Sequence, residues 1–474
     1  MKRYNPFLLL AGLIVAFTAA AQVNPKLLAK LDQNAAEIEQ KTIQWRRTFH
    51  QYPELSNHEV KTAAIVAEHL RKLGLEVKTG VARTGVVAVL NTGKPGPVVG
   101  LRADMDALPV DERNELTFAS KERVVYNGKE TGVMHACGHD SHMAILMAVA
   151  EILVKNKADL KGQIKFIFQP AEEGAGTLRG GAAMMVDEGV LDNPKVDAIF
   201  GLHIQSTVPA GTITYRPGGL MAAPDFFSIK VKGKGAHGST PWDGVDPIVV
   251  GAQIVLGIQT IVSRQMELTK DPVVITIGKF NAGNRENIIP EFAEFGGTIR
   301  TFDKKMQQEV YARMKATAEN IAESAGAVAE VQIAPGSPVT FNDPALTAMM
   351  VPSLERAAGK DKTVLVSPTT MGEDFSIFQE NVPGLFFFIG GMTPGGDPKK
   401  APIHHTPDFR IDETGFTTGI KALLNLTVDY LYKDPKLASK KSSEPVMGLV
   451  TTAFCLPTTR SRIGALQAVS FGSL

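Results

Sequence analysis

The sequence predicts an α/β fold in two parts: a mixed sheet with helices on its faces, interrupted by an inserted domain of β-α-β-β-α-β order. Three observations carry this. Apolar runs of strand length alternate with helical patterns over the first stretch of the chain, the middle changes to the split β-α-β order of ferredoxin-like domains, and the first pattern then resumes.

The elements follow in order. Asn24-Pro25 is a helix cap followed by a proline at the first helical position, and Leu27, Leu28, Leu31, Ala35 and Ile38 repeat with helical spacing. Ser56-Asn57-His58-Glu59 fits a capping box, after which Val60, Ala64, Ala67 and Leu70 run to Gly74 as the stop. Strands are expected at 97–101, 163–168 and 196–202, with a helix at 141–153. The middle reads as a strand at 226–231, a helix at 247–262, strands at 273–280 and 292–302, a helix at 304–325 and a strand at 328–333. A helix at 344–358, an apolar strand at 385–389 and a long amphipathic helix at 413–432 then return to the first pattern. The expected division is a signal peptide at 1–21, a first domain in two segments at 22–219 and 337–436, an inserted domain at 220–336 and a poorly ordered tail at 437–474.

Composition narrows the function classes. The 474 residues suffice for about three domains or two large ones. With 44% apolar and 21% charged residues the chain buries a real core, and a net charge of +1 provides no field for nucleic acid or an anionic membrane. Two cysteines, Cys137 and Cys455, make no disulfide framework, and Cys455 reads as an incidental thiol of the tail. Met1-Lys2-Arg3, the apolar run from Phe7 to Phe17 and Ala19-Ala20-Ala21 before Gln22 form an export signal, so a periplasmic or secreted protein is expected, with no membrane partner after the signal is removed.

Chemistry concentrates where predicted strands end, the edge at which open α/β sheets place their ligands. Cys137-Gly138-His139-Asp140 precedes a helix and offers a thiolate, an imidazole and a carboxylate as a compact ligand set for a zinc-like or manganese-like ion, with His135 and His142 as rival ligands. Gln169-Pro170-Ala171-Glu172-Glu173-Gly174 follows a strand, and two adjacent carboxylates leaving it point in different directions, so that one binds metal and the other serves as general base. His203 follows another strand, and Arg102-Ala103-Asp104-Met105-Asp106 ends a third. Ile403-His404-His405-Thr406-Pro407 adds a histidine pair in a late loop. Together these supply ligands for two ions, the arrangement of hydrolytic enzymes that activate a water between them. His50, His58 and His69 lie on the early helices without such a pattern and read as structural or solvated.

The segments Arg102-Ala-Asp-Met-Asp-Ala-Leu-Pro109, His135-Ala-Cys-Gly-His-Asp140, Gln169-Pro-Ala-Glu-Glu-Gly174, Gly235-Ala-His-Gly-Ser239, Asn287-Ile-Ile-Pro290 and His405-Thr-Pro407 occur in this order. Over about residues 38 to 434 the chain resembles the aminoacylase/carboxypeptidase family of dinuclear metallohydrolases, in its amidohydrolase branch with hippurate hydrolase and indole-acetyl-amino-acid hydrolase. The resemblance implies that Cys137, His139, Glu173, His203 and His405 hold two divalent ions of zinc, manganese, cobalt or nickel, and that Glu172 is the general base and later the acid for the leaving amine. It places Asp106 where the family keeps an aspartate supporting the metals, while Asp104 replaces a histidine of the wider family. The choice of bridging ligand, and of His405 over His404, stays open. The inserted domain becomes a lid and dimerisation domain, His237 reaches a neighbouring active site to stabilise the oxyanion, and Asn287 and Arg300 hold the substrate, whose free carboxylate suits a guanidinium.

The resulting expectation is a metal-dependent amidohydrolase that cleaves the amide of N-acyl amino acids with a metal-activated water, acting as a homodimer on a small molecule and on no nucleic acid. A carboxypeptidase or dipeptidase of the same family is the first alternative. A non-catalytic binding protein is the second, and the retained Glu172 beside Glu173 argues against it.

Overall fold

The computed structural model describes residues 23–174 and 180–433. The expected signal peptide, and the tail with Cys455, lie outside the described residues.

Eight strands form the larger sheet, in the order Glu76–Val81, Gly85–Asn91, Gln163–Gln169, Val98–Asp104, Ala198–Pro209, Gly384–Met392, Ile213–Tyr215 and Thr363–Leu365. Its four central strands, Gln163–Gln169, Val98–Asp104, Ala198–Pro209 and Gly384–Met392, run parallel, so their carboxyl ends reach one edge. They are buried almost throughout and read as continuous apolar runs, as parallel strands covered on both faces do. Helices Pro25–Glu37, Val60–Lys72, His139–Lys155 and Phe416–Tyr432 share one core on one face, and Gly181–Asp187 with Phe375–Gln379 supply another that includes Ile167, Ile199 and Phe386.

The inserted region has a core of its own. Four antiparallel strands stand in the order Val274–Ala282, Phe292–Thr301, Ala223–Lys232 and Val328–Ala334, backed by helices Pro247–Thr260 and Lys304–Ser324. In chain order this is β-α-β-β-α-β. The capping chemistry is local: Asn24, Asp246, Asp303 and Asp343 each accept a backbone N–H of the helix they precede, and three of those helices begin with Pro25, Pro247 and Pro344. Where the chain passes into and out of the insertion, Gly218–Met221 pairs antiparallel with Thr340–Asn342, so both crossings form one ribbon.

Three local readings are corrected. Ser56-Asn57-His58-Glu59 is not a capping box: Glu59 precedes helix Val60–Lys72 but makes no cap bond, because Ser56 and Glu59 bond elsewhere, and Glu54 Oε2 accepts from Thr62 N at 2.9 Å instead. The last helix starts at Phe416, after a short turn Glu413–Gly415 capped by Asp412. A further helix, Glu39–Gln51, follows the first directly. Its buried residues are Thr42, Arg46, Phe49 and His50, so the face it turns inward is polar and shows no apolar periodicity.

Candidate active site and metal centre

The site is assembled where the four parallel strands end. Gly138 holds φ at 99°, and a Cβ there would come within 2.4 Å of Ile204 Cγ2, so only glycine lets this turn approach the neighbouring strand. That turn delivers Cys137 and His139 together. Cys137 Sγ lies 3.3 Å from His203 Nε2 and 3.3 Å from His405 Nε2. His405 Nε2 is also 3.1 Å from Glu173 Oε1. Among the described residues, donor atoms within 4.8 Å of one another include the triads Cys137–His139–His203 and Cys137–Glu173–His405, with His139–Glu172–Glu173 beside them. The first two both contain Sγ of Cys137, which puts the thiol within reach of either.

The donors fit divalent ions. His139 Nδ1 donates to the Asp106 carbonyl at 2.8 Å, which leaves Nε2 as the ligating nitrogen, and that atom is buried with no hydrogen-bond partner. Burial pushes the His139 pKa down, but Asp104, Asp106 and Glu173 outweigh it and raise it to about 10, the mark of a site with surplus negative charge. Burial and the surrounding Glu173, Glu172 and Asp104 push the Cys137 thiol well up. A cation placed among these groups reverses both effects. His203 Nδ1 donates to the Ile204 carbonyl at 2.7 Å, and burial holds its pKa well down, so its Nε2 faces Cys137 as a neutral ligand.

The rival histidines are accounted for. His404 Nε2 donates to the Ile204 carbonyl at 2.9 Å, while His405 faces Cys137 and Glu173. His142 is committed on both nitrogens, donating to Asp104 Oδ1 at 2.6 Å and accepting from Ile204 N at 2.9 Å. His135 is buried with neither ring nitrogen bonded, and burial lowers its pKa to about 3. His50, on helix Glu39–Gln51, is structural but not without partners: Asp140 and Glu112 take its two ring nitrogens at 2.8 and 3.1 Å.

Asp106 acts through the backbone rather than on substrate. Its Oδ1 accepts from Glu172 N and its Oδ2 from Glu173 N, both at 3.0 Å, and Ser56 Oγ donates to Oδ2 at 2.6 Å. Asp106, expected to be catalytic in support of the metals, is placed to position the two glutamates through their amides. Glu59 holds the preceding residue in the same way, with Oε1 accepting from Ala171 N at 2.8 Å and Oε2 from Thr84 Oγ1 at 2.6 Å. Beneath them Arg102 is wholly buried, donating to Gln169 at 2.7 Å, Asp104 at 2.7 Å, Glu373 at 2.8 Å and Asp374 at 3.1 Å. The sequence reading assigned Glu59 only a capping role and Arg102, Glu373 and Asp374 none. Only Arg102 carried a signal, a charge at the end of an apolar strand.

Glu172 lines a cavity of about 460 Å³ together with Cys137, Glu173, His203 and His405. Burial, followed by the charges of Glu373, Glu173 and Asp374, pushes its pKa well above the usual carboxylate range, which suits a group that takes a proton and returns it. Met221, Pro224, Phe226 and Arg300 bring the inserted region to the same cavity. Arg300 Nε donates to Thr370 O at 3.1 Å and Nη1 to Ile299 O at 3.3 Å, which leaves Nη2 without a partner among the described residues. His237 and Asn287 do not line this cavity. They lie on a separate ribbon, Ala236–His237 paired with Ile288–Ile289, where Gly238 N donates to the Asn287 carbonyl and His237 Nδ1 accepts from Ser239.

Residues 100–429 match the peptidase family M20/M25/M40. Thermostable carboxypeptidase 1 of Saccharolobus solfataricus is 42% identical over 86% of this chain and 100% of its own length. An N-acyl-L-amino acid amidohydrolase of Geobacillus stearothermophilus is 42% identical over 61% of this chain and 75% of its own. Among solved structures, a dinuclear metal binding peptidase of the M20 family from Bacillus subtilis superposes with a TM-score of 0.71 at 36% identity, over 84% of this chain and 100% of that one.

Proposed function

The chain belongs to peptidase family M20/M25/M40 and is a metal-dependent hydrolase of carbon–nitrogen bonds; from that premise we propose that it releases amino acids from N-acyl amino acids as an exported homodimer. The observation that carries this reading is the position of Glu172, in one cavity with Cys137, Glu173, His203, His405 and Arg300. Cys137, His139, His203, Glu173 and His405 would hold the ions. Two divalent ions of the zinc, manganese, cobalt or nickel class supply Lewis acidity and an activated water when bound.

The chain's own residues do the rest. Nη2 of Arg300 is free to take the substrate carboxylate and so orients the amide toward Glu172. Glu172 accepts the proton of the attacking water and delivers it to the departing nitrogen. His237 has Nδ1 tied to Ser239 and Nε2 free on an exposed ribbon, an arrangement suited to reaching the oxyanion in the cavity of a second copy. Asn287, on the paired strand's side of that ribbon, holds the substrate from the same direction.

Support for a second copy comes from helix Pro247–Thr260, which exposes Ile248, Val249 and Leu256, and from strand Val274–Ala282, an unpaired edge that exposes Val274 and Phe280. Support for export is the basic, apolar and small-residue order of residues 1–21; the mature chain then starts at Gln22, which N-terminal sequencing checks.

The test is release of free amino acid from N-acetyl, N-benzoyl and indole-acetyl amino acids and from dipeptides, with metal-loaded and chelated protein. Glu172→Gln lowers turnover by about 10²-fold or more with two ions still bound. Turnover undiminished in that variant defeats the assignment, and preference for dipeptides favours the carboxypeptidase reading that the Saccharolobus relative's name suggests.

A further inference from the structure

His237 is carried by a loop that is pinned in one shape. Lys234 and Val245 exchange backbone hydrogen bonds at 2.9 and 3.0 Å and close the loop at its base. Inside it Thr240 N donates to the His237 carbonyl at 2.9 Å, Asp243 N to Thr240 O at 3.1 Å and Gly244 N to Pro241 O at 3.2 Å. Gly244 has no room for a side chain, because a Cβ would stand 2.5 Å from the Lys234 carbonyl oxygen. In this turn, shortly after His237, Trp242 is 78% exposed, and its indole has no ring or hydrogen-bond partner among the described residues. Ile288, paired with His237 across the ribbon, is exposed as well.

A large ring held rigidly in water is apolar surface that a partner gains by covering. The receiving side offers the complement. The cavity that holds Glu172 is lined on its open side by Phe226, 56% exposed, and by Met371, also exposed, one from the inserted region and one from the first domain. Phe226 stands on the sheet face that carries Arg300: Pro224 is paired with Arg300, and Phe226, next on that face, with Thr298. Its ring is therefore close to the group that takes the substrate carboxylate. When His237 of one copy enters the cavity of another, the rest of its loop arrives at this rim, and the exposed indole meets an exposed ring and thioether.

We propose that Trp242 seals the active site of a second copy: its indole packs on Phe226 and Met371 at the mouth of that cavity, keeps bulk water out and bears on the amino-acid half of the substrate held by Arg300. The inference rests on the reading above that His237 acts across a dimer, and it adds a residue which that reading leaves unused. Excluding water strengthens the pairing of Arg300 with the substrate carboxylate. Trp242 moves no proton, so its loss raises KM more than it lowers kcat.

The experiment uses mixed dimers of the metal-loaded full chain, co-expressed and purified through two different tags. Trp242→Ala removes a side chain that lies outside the core, and its homodimer shows KM raised about tenfold; an unchanged KM overturns the inference. Glu172→Gln contributes little turnover of its own. In the mixed dimer of these two variants the cavity with Glu172 intact faces the copy that keeps Trp242, so KM returns to the wild-type value, whereas a KM that stays raised places the ring elsewhere. The same pairing with His237→Ala separates the claims: recovery there but not with Trp242→Ala refutes the sealing role alone, and recovery with neither refutes action across the dimer as well. A second readout needs no turnover. With Trp45→Phe, Trp242 is the one tryptophan left in the chain, and iodide quenches it about threefold less in the dimer than in a Leu256→Glu monomer, with Phe226→Ala restoring access in the dimer. Equal quenching in both, or a wild-type chain that is monomeric in light scattering, overturns the inference and leaves hydrolysis by Glu172 standing. Absence of turnover on every N-acyl amino acid removes the amidohydrolase reading, and quenching still decides whether Trp242 is covered.

Discussion

Ala171 adopts a φ of 50°, an uncommon conformation for a side chain with a Cβ, and it does so at the turn that aims Glu172 and Glu173. Glu59 and Asp106 hold that turn by accepting its three successive N–H groups. Burial, together with the Asp106 charge, raises the Glu59 pKa from the usual 4.5 to about 7. Between those values the folded chain binds more protons at this site than the unfolded chain, so its contribution to stability falls as pH rises, by roughly 3 kcal/mol once the pH is above both. Glu59→Gln keeps an acceptor for Ala171 and removes the titration, so the variant gains on wild type in thermal stability from pH 5 to pH 8. Parallel melting curves across that range would contradict it. Cys137 invites a second prediction at this scale. Because its Sγ belongs to both triads, Cys137→Ala loses both ions, whereas His405→Ala, which breaks only one triad, retains one; metal content after dialysis distinguishes them.

Among the elements, the parallel strands do most of the placing, since three of the four each bring one reactive segment toward a common edge. Strand Val98–Asp104 leads to Asp106, Gln163–Gln169 leads to Glu172 and Glu173, and Ala198–Pro209 carries His203 within it. Arg102 ties two of these strands to the segment Glu373-Asp374 through buried ion pairs. Removing one partner of such a cluster costs far more than the cluster contributes, because the remaining charges stay buried and unpaired. Arg102→Met accordingly destabilises the protein by about 3–5 kcal/mol, measured by denaturant unfolding; a loss under about 1 kcal/mol would show that Asp104, Glu373 and Asp374 simply take up protons.

For the whole molecule, the decisive feature is that two separately cored regions meet across one cavity and are joined by a two-strand ribbon. Helix Pro247–Thr260, with the turn to Gln265, is apolar enough by composition to cross a membrane, but its buried Val250, Ile254 and Ile258 pack on the four-stranded sheet. The opposite side, with Leu256 70% exposed, is the surface proposed above to meet a second copy. Leu256→Glu places a charge there and converts the proposed dimer to a monomer in light scattering. Activity falls with the dimer if His237 acts across it; a fully active monomer would refute that role.

Much of this organisation was legible in the sequence because it is local. The β-α-β-β-α-β order followed from periodicity, since strand and helix patterns repeat over neighbouring residues. The candidate ligands were found because reactive residues in short motifs followed apolar strands, and the family resemblance selected among them. What adjacency along the chain did not encode was left to the tertiary structure. Helix Glu39–Gln51 has no apolar periodicity to set its bounds because it buries Arg46 and His50 against Asp140, a partner some 90 positions away. Glu59 read as a cap because only the folded chain brings Ala171 to it. The meeting of Cys137 with both His203 and His405, and the separation of His405 from His404, were decided likewise by the convergence of distant segments, where distances of a few ångströms determine which side chain meets which.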